Sequence, residues 1–140
     1  MGDKLRMAKA SMRPARVPEK AEQAHIVQLL RSIGGRVYVM GTHRRRGDFY
    51  GTMQTEGIPD LMAFLPARRF TDERPAFLFI ECKASGGHLR PEQRVFQEQC
   101  DAAKIRHLVG GLDAVIAWLI QTGYVTAEQF PTYRQPRSEP

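Results

Sequence analysis

Ala76-Phe77-Leu78-Phe79-Ile80-Glu81-Cys82-Lys83-Ala84 is the stretch on which the fold turns, because it is apolar at nearly every position until Glu81. A run of that kind suits a central strand covered on both faces. Side chains alternate along a strand, so Glu81 and Lys83 project from the face that carries Phe77 and Phe79. An ionised group in such a row costs several kcal/mol unless something compensates it. Either the charges are compensated, or the strand frays into solvent at Glu81 and the pair is an ordinary edge contact.

Working outward, Pro59 to Leu65 forms a preceding strand, since proline is tolerated at a strand's first residue, and Arg68 to Pro75 a charged turn. Arg36 to Met40 alternates polar and apolar positions as a strand does. Between them, Gly41 to Ile58 is a long polar segment centred on His43-Arg44-Arg45-Arg46, and loops of that length tend to be functional. Pro18 suits a first helical turn and Gly34-Gly35 a helix stop, which frames a helix from about Pro18 to Ile33. Ile26, Leu29, Leu30 and Ile33 give it an apolar stripe at helical spacing. Downstream, Pro91 opens a helix to about Lys104, Ile105 to Val109 makes a fourth strand, and Gly110-Gly111 leads into a helix through Ile120. The order α-β-β-β-α-β-α defines an α/β unit in one domain over residues 18–125. Residues 1–17 form a basic arm and residues 126–140, with three prolines, a loose tail.

A chain of 140 residues leaves too little for two independent cores, and 42% hydrophobic with 26% charged residues argues against wholesale disorder or a fibrous repeat. Lys plus Arg outnumber Asp plus Glu by 21 to 15, a net +6 that favours polyanionic partners, nucleic acid foremost. The longest apolar run, Leu112 to Ile120, is interrupted by Asp113 and far short of the roughly 20 residues of a membrane span. The basic amino terminus has no apolar stretch behind it and does not read as a secretory signal, so a cytoplasmic protein is expected. Cys82 and Cys100 lack metal-ligand spacing and read as reduced, buried residues.

Three further residues stand out against this packing. If the second and third strands form a hairpin, Asp60 comes beside Glu81, and a divalent cation would relieve the repulsion between two carboxylates. Oxygen ligands suit Mg²⁺ or Mn²⁺ rather than zinc. Asp60 is also an ordinary turn residue. Glu22 lies four residues before Ile26 on the inward stripe, although an acid in a first turn also favours the helix dipole. Gln93 lies three before Phe96 and seven before Cys100, near a helix start where glutamine is common. Three acids and a lysine at strand and helix ends describe a metal-dependent phosphodiester site better than a stable core.

With these residues in hand, the chain resembles the VRR-NUC family, a branch of the PD-(D/E)xK nuclease superfamily. The resemblance rests on Glu22, on Gly57-Ile58-Pro59-Asp60-Leu61, on Glu81-Cys82-Lys83 and on Gly87-His88-Leu89-Arg90-Pro91-Glu92-Gln93, and covers about Ala21 to Ile120. It implies the restriction-endonuclease-like αβββαβ core, a mixed four-stranded sheet flanked by helices. It further implies that Asp60 and Glu81 hold the metal, with the backbone carbonyl of Cys82 completing the shell. Lys83 would orient or activate the attacking water, Glu22 would assist metal or water positioning, and Gln93 would orient groups around the site. The chain looks like the short stand-alone kind found in bacteria and phages, for which the resemblance implies a homodimer acting on branched DNA such as four-way (Holliday) junctions.

His43, Arg44, Arg45 and Arg46 would grip phosphates beside the scissile bond, with Arg90 and Arg94 as further DNA contacts flanking Gln93. Tyr38, Phe49 and Tyr50 are available to stack on unpaired bases, with core packing or loop anchoring as the alternative. Two other functions are compatible with the same residues: a nucleic-acid-binding module whose nuclease site no longer works, and an endonuclease that cuts ordinary duplex DNA at a sequence.

Overall fold

The computed structural model describes residues 17–40, 55–67 and 75–131. The basic segment from His43 to Arg46, with Phe49 and Tyr50, lies outside the described residues, as do residues 1–16 and 132–140. Helix α1 (Glu19–Ser32) leads to strands β1 (Arg36–Val39), β2 (Leu61–Leu65) and β3 (Ala76–Cys82). Helix α2 (Pro91–Ala102), strand β4 (Arg106–Gly110) and helix α3 (Leu112–Gln121) follow, then a 3₁₀ turn at Ala127–Gln129. The described residues form an α/β structure with one mixed four-stranded sheet and three α-helices. Each element falls within two residues of the span read from the sequence.

The strands lie in the order β1-β2-β3-β4, the first three antiparallel and β4 parallel to β3 across the α2 crossover. Leu61, Ala63 and Leu65 of β2 and Leu78, Ile80 and Cys82 of β3 point to one face, where Ile26 and Leu30 of α1 and Val115 and Leu119 of α3 close the core. Removing side chains of this size from water is worth roughly 1.5–3 kcal/mol each, which makes this layer the main source of stability.

On the opposite face β3 is covered less completely than its apolar run suggests, and Phe77 and Phe79 are half-buried. A single helix, α2, packs there, and Phe96 meets Phe79 edge-on at 5.1 Å and His107 at 5.6 Å. Its contacts reach the β3–β4 half of the sheet, while Tyr38 of β1 and Phe64 of β2 remain 48% and 44% exposed. The segment expected to be a loose tail also begins in the structure. Residues 127–129 make a helical turn, and Phe130 packs against the core.

Two glycines fix the connections that matter for the site. Gly34 takes the left-handed φ of 89° that ends α1, a conformation that costs other residues about 1–2 kcal/mol. Gly57 has the same φ, and a Cβ there would come within 2.5 Å of the Glu92 carbonyl oxygen. Only glycine lets the turn before Asp60 lie directly against the first turn of α2.

Candidate active site

The hairpin register pairs Leu61 with Ile80, so Asp60 enters β2 opposite Glu81 near the end of β3. The Asp60 carboxylate is fixed across the hairpin, because its Oδ2 accepts a hydrogen bond from the Cys82 backbone N–H at 2.8 Å. The Met40 N–H in turn donates to the Asp60 carbonyl at 2.8 Å, which ties the end of β1 to the same point.

Glu81 is only 2% exposed, so β3 does not fray into solvent at that residue. Its Oε1 accepts a hydrogen bond from Gln93 Nε2 at 2.6 Å and lies 3.5 Å from Lys83 Nζ. The other end of the Gln93 amide is held as well, since Oε1 accepts from the Arg90 N–H at 2.8 Å. That bond caps α2 and leaves the amide nitrogen aimed at Glu81. Pro91 sits at the first helical position, where its missing N–H costs nothing. The sequence from Arg90 to Gln93 therefore starts the helix and supplies the donor to the buried carboxylate.

Burial pushes the Glu81 carboxyl from its ordinary value of 4.5 up to about 7, and repulsion from Asp60 adds to the rise. The Lys83 ammonium acts in the opposite direction. One buried carboxyl held protonated near neutrality beside a second carboxylate marks a place where an added positive charge would be well received. Cys82 lies behind the pair on the core face with its thiol fully buried, and burial together with Asp60 and Glu81 pushes its pKa up. It is an apolar filler and no nucleophile. Cys100 is likewise buried, free and shifted upward by burial.

Asp60, Glu81, Lys83 and Gln93 thus meet at one end of the sheet, with Cys82 between Glu81 and Lys83 in the chain. Glu22 is placed differently. It lies on the inward side of α1, and its Oε2 accepts a hydrogen bond from the Leu112 N–H at 2.7 Å, at the start of α3. A Cβ at Gly111 would meet that carboxylate at 2.8 Å. Glu22 therefore caps α3 and clamps α1 to it, using the attraction of a carboxylate for a helix amino terminus. Among the described residues no group of three His, Cys, Asp or Glu side chains is gathered as a metal site. Arg90 and Arg94 are exposed on the first turns of α2.

The donors present suit a magnesium-type ion, which is commonly held by one or two carboxylates together with waters and substrate phosphate. Asp60 and Glu81 offer two carboxylates, and the nearest cation, Lys83, does not neutralise both. Sequence reasoning missed the capture of Glu22 by the Leu112 N–H and the seating of Gly57 on Glu92. The only signals for them were glycines, Gly111 and Gly57, at positions where a backbone must approach closely.

Comparison with protein-family models, with curated proteins and with solved structures returns no match. Among the described residues no helix is long and apolar enough to cross a membrane.

Proposed function

We propose that the chain is a divalent-cation-dependent DNA endonuclease of the VRR-NUC kind, built on the restriction-endonuclease-like αβββαβ core and acting on branched DNA as a homodimer. The observation that carries this reading is the junction of Asp60, Glu81, Lys83 and Gln93, in which a buried carboxyl near pKa 7 faces a second carboxylate and an ammonium. The element order and the parallel β3–α2–β4 crossover support it, because they place these groups at the ends of adjacent strands.

Asp60 and Glu81 would hold Mg²⁺ or Mn²⁺, which supplies a polarised phosphoryl oxygen and a bound water of lowered pKa. Asp60 is kept in place by the Cys82 N–H, and Gln93 holds Glu81 in one rotamer. Lys83 brings a positive charge to where negative charge develops as the phosphodiester is attacked. One domain reaches one scissile phosphate, so cutting both strands of a junction calls for two copies.

Purified protein is expected to nick or resolve a four-way junction in Mg²⁺ or Mn²⁺ faster than a matched flap or linear duplex at one salt concentration. Glu81→Ala and Lys83→Ala are expected to lose cleavage and keep DNA binding. Cleavage persisting in Glu81→Ala rejects these roles, equal rates on the three substrates reject structure selectivity, and binding without any metal-dependent product favours a silent binding module.

A further inference from the structure

A groove of about 470 Å³ runs between the outer side of α1 and β1, the edge strand of the sheet among the described residues. Its lining is chemically one-sided. Lys20 and Arg31 supply cationic donors, Gln23 and Gln28 amides that both donate and accept, and Ala24, Val27 and Val39 an apolar floor, and among the described residues no carboxylate lines it. This is notable on a body whose described residues carry eight Lys or Arg against ten Asp or Glu, 8 − 10 = −2. The helical period explains the segregation: Glu19 and Glu22 lie on the side of α1 that carries Ile26 and Leu30, about 100° or more away from the Lys20–Val27–Arg31 line. Lys20, Arg31 and Val39 are exposed.

The groove also begins beside the candidate site. Val39 pairs with Leu61, the neighbour of Asp60, and the next residue, Met40, donates its N–H to the Asp60 carbonyl. From Lys20 to Arg31 the helix extends about 16 Å, which sets the two cations apart by more than one nucleotide step of a strand.

We propose that this groove seats the sugar-phosphate backbone of a DNA strand flanking the scissile phosphate, with Lys20 and Arg31 contacting phosphates and Val27 and Val39 lying against sugars. The proposal deepens the nuclease reading and rests on it for the identity of the polyanion. Charge complementarity selects the occupant, since two cations about three helical turns apart, with no acidic residue among the described lining, match a repeating anion. The contacts carry no base readout, so they add affinity without sequence preference.

The test is a binding titration of the full chain with a labelled four-way junction and a matched duplex, in EDTA and over a range of salt. Removing two phosphate contacts in Lys20→Ala/Arg31→Ala is expected to lower the slope of log affinity against log salt by about two, with a loss of roughly 60-fold near 0.1 M salt. The charge-conserving pair Lys20→Arg/Arg31→Lys is expected to keep both. Because both side chains are exposed, unchanged thermal melts are expected to show that each variant is folded. An unchanged slope in the alanine pair overturns the proposal even if the enzyme cuts DNA, and so does failure of the wild-type chain to bind either probe. A change in self-association without a change in DNA affinity also overturns it, assigning the groove to a second copy. A lowered slope without cleavage in any metal leaves the groove assignment standing and removes the nuclease reading.

Discussion

Replacing Glu81 by glutamine in the metal-free protein should stabilise it above neutral pH. Folding raises this carboxyl from 4.5 to about 7, so the native protein keeps a proton that the unfolded chain has already released. The associated stability is complete below pH 4.5 and is lost as pH rises through 7. At about 1.4 kcal/mol per pH decade, the loss amounts to roughly 3 kcal/mol. The side chain is 3% exposed, so solvent screens little of this cost. Glutamine keeps an oxygen for the Gln93 amide and gives up the ion pair to Lys83, which trims the gain to about 1–3 kcal/mol at pH 8. For a folded body of this size the melting temperature should rise by roughly 4–12 °C. Calorimetric melts in EDTA from pH 4.5 to 8.5 should show the wild-type protein declining with pH and the variant flat. Added Mn²⁺ at pH 8 should raise the wild-type Tm and leave the variant unmoved, since only an ion bound to the native state adds stability. Parallel curves for the two proteins, or a wild-type protein more stable at pH 8, would refute the account of Glu81 as a carboxyl under strain from burial and Asp60.

Gln93→Leu removes both the donor to Glu81 and the acceptor that caps α2, so it should destabilise at every pH by about 1 kcal/mol through the cap and by about 1–3 kcal/mol more at pH 8 than at pH 5, where the Glu81 carboxyl is protonated; melts at the two pH values check this, and an equal loss at both would reduce Gln93 to capping and packing. Glu22→Ala should destabilise by roughly 1–2 kcal/mol through loss of the cap on α3, while Glu22→Gln should recover most of it. Cleavage assays should find Glu22→Gln within a few-fold of wild type, in contrast to Glu81→Gln, and a collapse of activity in Glu22→Gln would show that its charge serves the metal.

Much of the fold was legible because its signals are local. The apolar run of β3, the proline-opened α2 and the stripe Ile26–Leu30 on α1 each announce their own element, and the structure sets them within two residues of those spans. The pairing of Asp60 with Glu81 follows from one further assumption, that consecutive strands form a hairpin. What stayed illegible depends on partners distant in sequence. Glu22 looks misplaced on an inward stripe until the Leu112 N–H, 90 residues away, is brought to it. The open aromatic face of β1 and β2 depends on which strands α2 crosses, and strand composition carries no information about that. Phe130 packs singly, without a period, and a proline-bearing segment hides it.

The distribution of charge adds a constraint on how such a site would work. Thirteen Lys or Arg against five Asp or Glu lie outside the described residues, 13 − 5 = +8, whereas the described body carries −2. The body therefore does not attract DNA through its net charge, and the pair Asp60 and Glu81 repels phosphate until a cation is present. On the proposed nuclease reading, affinity would come from the basic segments and from local strips such as Lys20–Arg31, and it would weaken steeply with salt. The proposed chemistry, in contrast, would depend on the buried contacts of Glu81 with Gln93 and Lys83, which salt screens far less. Salt should then act on binding and leave the rate at saturating DNA little changed, whereas pH should act on the metal-free site through Glu81. The two dependences separate because they arise from different parts of the chain.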